Sequence, residues 1–77
     1  MRTHVFQIEL DKEDDGRWAA TCPDLPGCAT WGFTAEEALR NIQEAVSAYV
    51  ADLVASGEPV PSGREVIEAP AVSVVTP

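Results

Sequence analysis

Positive charge is scarce in this chain. Five lysines and arginines stand against 13 aspartates and glutamates, for a formal net charge of −8 over 77 residues. Such a field repels a polyanion unless a local basic patch overrides it. Arg2, Lys12, Arg17, Arg40 and Arg64 are scattered singly, so no direct contact with nucleic acid is expected. A basic protein or a cation is the partner this charge favours, and acidity also serves plain solubility. Cysteine is nearly absent too: Cys22 and Cys28 are too few for a disulfide framework and are expected to stay thiols in a reducing compartment. Nowhere do the roughly 20 apolar residues of a membrane span run together. The N-terminus lacks a basic region followed by an apolar run, so the chain is expected to be cytoplasmic with no membrane contact. Glycine-rich phosphate loops are missing as well.

What is present fits one small domain, residues 1–77. A chain this short buries a modest fraction of its surface, so a homo-oligomer, dimer or tetramer, or a bound partner is expected from size alone. From His4 to Leu10 apolar and polar residues alternate, with His4, Phe6, Ile8 and Leu10 on one face of a half-buried strand over 4–10. Asp-Gly at 15 and 16 suits the positive φ of a tight reversal. A second strand over 17–22 follows, with Trp18, Ala20 and Cys22 on one face, and Pro23 ends it because proline cannot donate to a ladder. Residues 28–33, rich in Thr, Trp and Phe, predict a third strand.

Thr34-Ala-Glu-Glu predicts a helix start in which the hydroxyl accepts from the Glu37 N–H and the Glu37 carboxylate reaches back. Over 35–56 an apolar stripe of Ala38, Leu39, Ile42, Ala45, Val46, Tyr49, Val50 and Leu53 is wide enough to cover one sheet face. Gly57 stops the helix, and Pro59 and Pro61 prevent its resumption. A fourth strand is expected within 65–75, at an edge or bulge because Pro70 interrupts it. The fold class is therefore α+β, in the order β-β-β-α-β, an antiparallel sheet with one helix packed on it.

Few residues suggest chemistry. Cys22-Pro-Asp-Leu-Pro-Gly-Cys28 is stiff, because each proline fixes φ and Pro-Gly suits a turn. Such a loop can display Asp24 and Leu25 in a fixed pose, or it can simply reverse the chain and tuck Leu25 under the sheet. The cysteine spacing matches no common zinc pattern, and His4, the only histidine, has no nucleophile in a recognisable motif beside it. Neither a catalytic dyad nor a metal site is expected, and both thiols read as small buried hydrophobes. A magnesium nuclease built from Glu9, Asp11, Asp14, Asp15 and Asp24 is a distant alternative, because most of these lie in one solvated hairpin. Trp18, Trp31 and Phe33 lack the neighbouring Lys or Arg of a base-stacking platform. Trp31 alternates with Cys28 and Thr30, which turns it away from the helix; an exposed aromatic there marks a protein contact, and plain core packing is the other reading.

Taken together, Asp15-Gly16-Arg17-Trp18, the Pro-Asp-Leu-Pro-Gly turn, Gly32-Phe33-Thr34, Glu36-Glu37-Ala38 and Gly57-Glu58-Pro59-Val60-Pro61 resemble the HicB-like antitoxin family. The resemblance spans nearly the whole chain. It implies a truncated ribonuclease-H-like fold without catalytic carboxylates, no enzymatic activity and no cofactor. Also implied is a HicA-like toxin partner, a small basic protein that cleaves messenger RNA and whose active site the antitoxin blocks. The contact residues expected on this reading are Asp24, Leu25 and Gly27 of the stiff turn, with Asp14, Asp15 and Trp31. An orphan domain that assembles with itself is the alternative. Longer members of the family continue into a ribbon-helix-helix or helix-turn-helix domain; these 77 residues leave no room for one, so autorepression is not expected of them. Phe33 stands where the family often has an acidic residue.

Overall fold

The computed structural model describes residues 1–61 and 70–77. Its elements run β1 (Arg2–Gln7), β2 (Glu9–Lys12), β3 (Trp18–Thr21), β4 (Ala29–Gly32), α1 (Ala35–Ala55) and β5 (Ala71–Thr76). The expected order survives with one strand divided. The run read as a single strand over 4–10 is two, because the chain changes partner at Ile8. β1 pairs antiparallel with β5, whereas β2 pairs antiparallel with β3 and β3 with β4, giving a two-stranded and a three-stranded sheet. At the changeover the Ile8 N–H donates to the Pro70 carbonyl at 2.8 Å. Side-chain alternation continues through the break: His4, Phe6 and Ile8 are buried and Leu10 is half-buried.

β3 buries Ala20 and half-buries Trp18, and Cys22 just beyond it is buried on the same side. Pro70 stands immediately before β5 instead of interrupting it, so its missing N–H falls outside the strand. The 65–69 part of the expected last strand lies outside the described residues.

One face of the sheets is covered by α1, which packs against β2, β3, β4 and β5. Ala38, Ile42, Val46 and Val50 are its buried residues, and they meet Phe6, Ile8, Ala20, Leu25 and Val72 in the core. Each large aliphatic side chain buried there contributes about 1.5–3 kcal/mol of transfer free energy. Thr34 caps the helix through its Oγ1, which accepts from the Glu37 N–H at 3.0 Å, and Glu37 Oε1 accepts from the Phe33 N–H at 3.0 Å. The carboxylate thus reaches one residue further back than a capping box requires, tying β4 to the helix start. At the other end Gly57 takes φ 71°, its N–H donates to the Val54 carbonyl and the Glu58 N–H donates to Leu53, a Schellman closure.

Two helical amides guard the sheet edges. Asn41 Nδ2 donates to the Trp31 carbonyl of β4 at 3.0 Å, and Gln43 Nε2 donates to the Ser73 carbonyl of β5 at 3.2 Å. β4 passes so close beneath the first turn of α1 that only glycine fits at position 32. A Cβ there would stand 2.5 Å from the Ala38 amide nitrogen.

Candidate functional site

With the helix on one side, no described element covers the opposite sheet face, and large exposed aromatic side chains cluster at one end of it. Trp31 of β4 is 47% exposed and Phe33, just beyond the strand, 68%. Their rings meet edge to face with centroids 5.1 Å apart and planes at 90°, a favourable quadrupolar arrangement. β4 runs beside β3 with Trp31 opposite Ala19, and the small alanine leaves the indole face uncovered. Arg17, entering β3 from the hairpin, fills part of that space with its guanidinium carbon 5.1 Å from the indole centroid.

The hairpin holds Arg17 there. Gly16 takes φ 91°, the Glu13 N–H donates to the Arg17 carbonyl at 2.7 Å, and the Gly16 N–H donates to Glu13. Asp15 then accepts twice from Arg17, through Oδ1 from its backbone N–H at 3.0 Å and through Oδ2 from Nε at 2.7 Å. The backbone bond, with the guanidinium beside it, holds the Asp15 carboxyl below the usual aspartate range. The result is a stack of carboxylate, guanidinium and indole on an exposed surface.

The residues singled out from sequence fall into two groups. Asp14, Asp15 and Trp31 lie together at the hairpin end, whereas Asp24, Leu25 and Gly27 lie at the far end of the β3–β4 ladder. Between the ends run four paired positions, from Trp18 opposite Gly32 to Thr21 opposite Ala29. The turn 22–28 is a double reversal: the Leu25 N–H donates to Cys22, the Cys28 N–H donates to Leu25, and Gly27 takes φ 79°. Leu25 is 1% exposed and belongs to the core. Its expected display to a partner is therefore corrected, because the turn folds its side chain inward beneath the sheet. Asp24 is half-buried and Gly27 exposed.

Cys22 and Cys28 are free, buried thiols at the two ends of the turn, with the Cys22 N–H donating to the Cys28 carbonyl at 3.0 Å. Burial raises both above the usual thiol range, and for Cys22 the nearby Cys28 adds to the rise. His4, the first residue of the expected 4–10 strand, lies inside β1 and is buried, with Nε2 hydrogen-bonded to Thr76 Oγ1 at 3.0 Å. Among the described residues no group of three or more His, Cys, Asp or Glu could hold a metal ion, so the carboxylates of the magnesium alternative do not gather. No helix among them is long and apolar enough to cross a membrane. Sequence reasoning missed Arg17, since only the register of β3 against β4 brings it over Trp31.

A family profile described as the HicB-like antitoxin of bacterial toxin-antitoxin systems matches residues 6–72. The chain belongs to the HicB-like antitoxin family. Among solved structures, this HicB-like chain is similar to the N-terminal domain of the Burkholderia pseudomallei antitoxin HicB, at TM-score 0.73 and 28% identity, over 95% of this chain and 98% of that one. Against the Burkholderia pseudomallei antitoxin HicB itself the TM-score is 0.66 at 26% identity, over 99% of this chain and 64% of that one. A UPF0150 protein of Synechocystis is 46% identical over 56 residues, which are 73% of this chain and 71% of the relative. One from Thermoplasma acidophilum is 41% identical over 56 residues, 73% of this chain and 81% of its own length. The HicB N-terminal fold thus accounts for the element order, including the divided first strand and the single helix.

Proposed function

We propose that this HicB-like chain is the antitoxin of a HicAB-type pair, and that it neutralises a small, basic, mRNA-cleaving toxin by binding it and occluding its active site. The observation that carries this reading is the exposed Trp31–Phe33 pair, with Arg17 over the Trp31 ring and Asp15 paired to Arg17, on an acidic chain. Exposed aromatics are among the side chains that anchor protein interfaces, and a net acidic chain accelerates encounter with a basic partner. The same acidity competes with RNA for the toxin surface. The chain works without chemistry or cofactor of its own, acts in the cytoplasm beside the RNA it protects, and uses a ribonuclease-H-like scaffold for display alone. Asp24 and Gly27, at the other end of the ladder, form a second contact region only for a partner that spans the sheet face.

Co-expression with a short basic protein encoded beside this chain tests the reading. Restored growth together with co-purification of the two chains is expected. Growth rescue without a complex, or a neighbour that is not toxic, contradicts it and favours a self-assembling orphan domain.

A further inference from the structure

Two nucleophilic side chains take no part in the aromatic face. Cys22 and Cys28 stand at the end of the β3–β4 ladder remote from Trp31. The last registered pair of that ladder is Thr21 opposite Ala29, so the next position outward sets Cys22 opposite Cys28. A 3.0 Å bond from the Cys22 N–H to the Cys28 carbonyl holds the two backbones there. Both side chains turn to the helix side of the sheet, since both belong to the core, at 1% and 5% exposure.

Opposed residues of a hydrogen-bonded antiparallel pair stand about 5.5 Å apart at Cα. Disulfides span about 4.4–6.8 Å between Cα atoms, most often about 5.5–6 Å. The Cβ atoms of such a pair lie about 4.5–5.5 Å apart, and a disulfide asks for about 3.5–4.5 Å, so closure requires only a small local approach. The chain between the thiols already makes two reversals, with Gly27 at φ 79°, and closure adds no new turn. The nearness also shows electrostatically, because Cys28 is among the groups that raise the Cys22 thiol.

We propose that Cys22 and Cys28 form a redox-modifiable pair, which a small disulfide oxidant closes into an intramolecular disulfide that staples β3 to β4 at the base of the turn. One cysteine thiolate attacks a sulfur of the oxidant, forming a mixed disulfide and releasing the first oxidant thiolate. The second cysteine then attacks the protein sulfur of that mixed disulfide and releases the other. The protein thiols lose two electrons, the oxidant disulfide gains them, and the two thiol protons pass to the two thiolates released. Burial slows the first exchange, because the thiolate is the nucleophile. The equilibrium depends instead on how well the fold presents one sulfur to the other. A reducing compartment keeps the pair open. Once closed, the bond fixes the turn that carries Asp24 and Gly27 and pins Leu25 in the core. The pair is separate from the Trp31 end, and the inference does not depend on the toxin reading.

Equilibration of the unmodified 77-residue chain with mixtures of oxidised and reduced glutathione, in buffer and again in enough urea to unfold it, tests the site. Acid quenching, alkylation and mass spectrometry then count the remaining thiols. A single chain lighter by the two thiol hydrogens is expected, with a closure constant larger by about tenfold or more in the folded chain than in the unfolded one. By the same thermodynamic cycle, the oxidised chain should unfold at a higher urea concentration than the reduced chain. Cys22→Ser and Cys28→Ser are each expected to stop at the mixed disulfide with glutathione. A closure constant no larger in the folded chain, a lower urea midpoint after oxidation, or a product cross-linked between two chains overturns the proposal.

Discussion

Replacing Gly32 by alanine is the smallest change that interrogates how β4 is joined to the helix. The added Cβ would meet the Ala38 amide nitrogen at 2.5 Å, the Glu37 carbonyl carbon at 2.9 Å and the Ala38 Cα at 3.0 Å. All three are backbone atoms of the first helical turn, so no side chain can swing aside. Relief requires β4 to move away from α1, which loosens the Asn41–Trp31 and Glu37–Phe33 bonds that span the same junction. Overpacking of a close contact costs about 1–3 kcal/mol, and a backbone clash belongs at the upper end. Against this, alanine reduces the freedom of the unfolded chain by about 0.4–1 kcal/mol. The net loss is then about 2 kcal/mol, a large share of the roughly 4–12 kcal/mol that a domain of this length possesses. Urea titration followed by tryptophan fluorescence and circular dichroism reads it directly, with a melting temperature lower by about 8–16 °C as the thermal counterpart. A Gly32→Ala variant as stable as the parent, or more stable, would refute the close approach.

Leu25→Ala should cost about 2–4 kcal/mol in the same titration, since the side chain is buried in the core; a loss below about 1 kcal/mol would mean that the turn does not anchor there. The thiols of Cys22 and Cys28 have folded pKa values above their unfolded ones. Their contribution is therefore complete below the unfolded thiol pKa and is lost as pH rises through the folded value, because the unfolded chain then binds fewer protons. Unfolding titrations above about pH 8.5 should show falling stability, and a Cys22→Ala, Cys28→Ala double variant should show a shallower fall. Equal slopes would count against burial as the cause.

The helix was legible because its signals are local. Thr34, the stripe from Ala38 to Leu53, and Gly57 specify start, buried face and stop within one stretch of chain, and each occupies the predicted role. The first strand was legible in its alternation but not in its partners. Nothing between His4 and Leu10 tells that Ile8 hands the chain from β5 to β3, since that depends on pairing with residues beyond position 70. The Trp31 exposure followed from period-two alternation, whereas the stack over it required the alignment of Arg17 with β4, which no single segment contains. At the 22–28 turn the pattern permitted Leu25 to point either way. Two consecutive proline-led reversals direct it inward, which makes the turn chiefly an element of the core.

The central claim is that the chain restrains a basic ribonuclease through its aromatic sheet face. The most direct test adds the purified chain to a short basic protein encoded beside it, if that protein cleaves RNA, and follows RNA cleavage and binding together. The account predicts stoichiometric loss of cleavage, with Trp31→Ala binding weaker by about 30-fold while keeping its fold. Cleavage that continues with the chain in excess, or inhibition unchanged by the loss of Trp31, would contradict it.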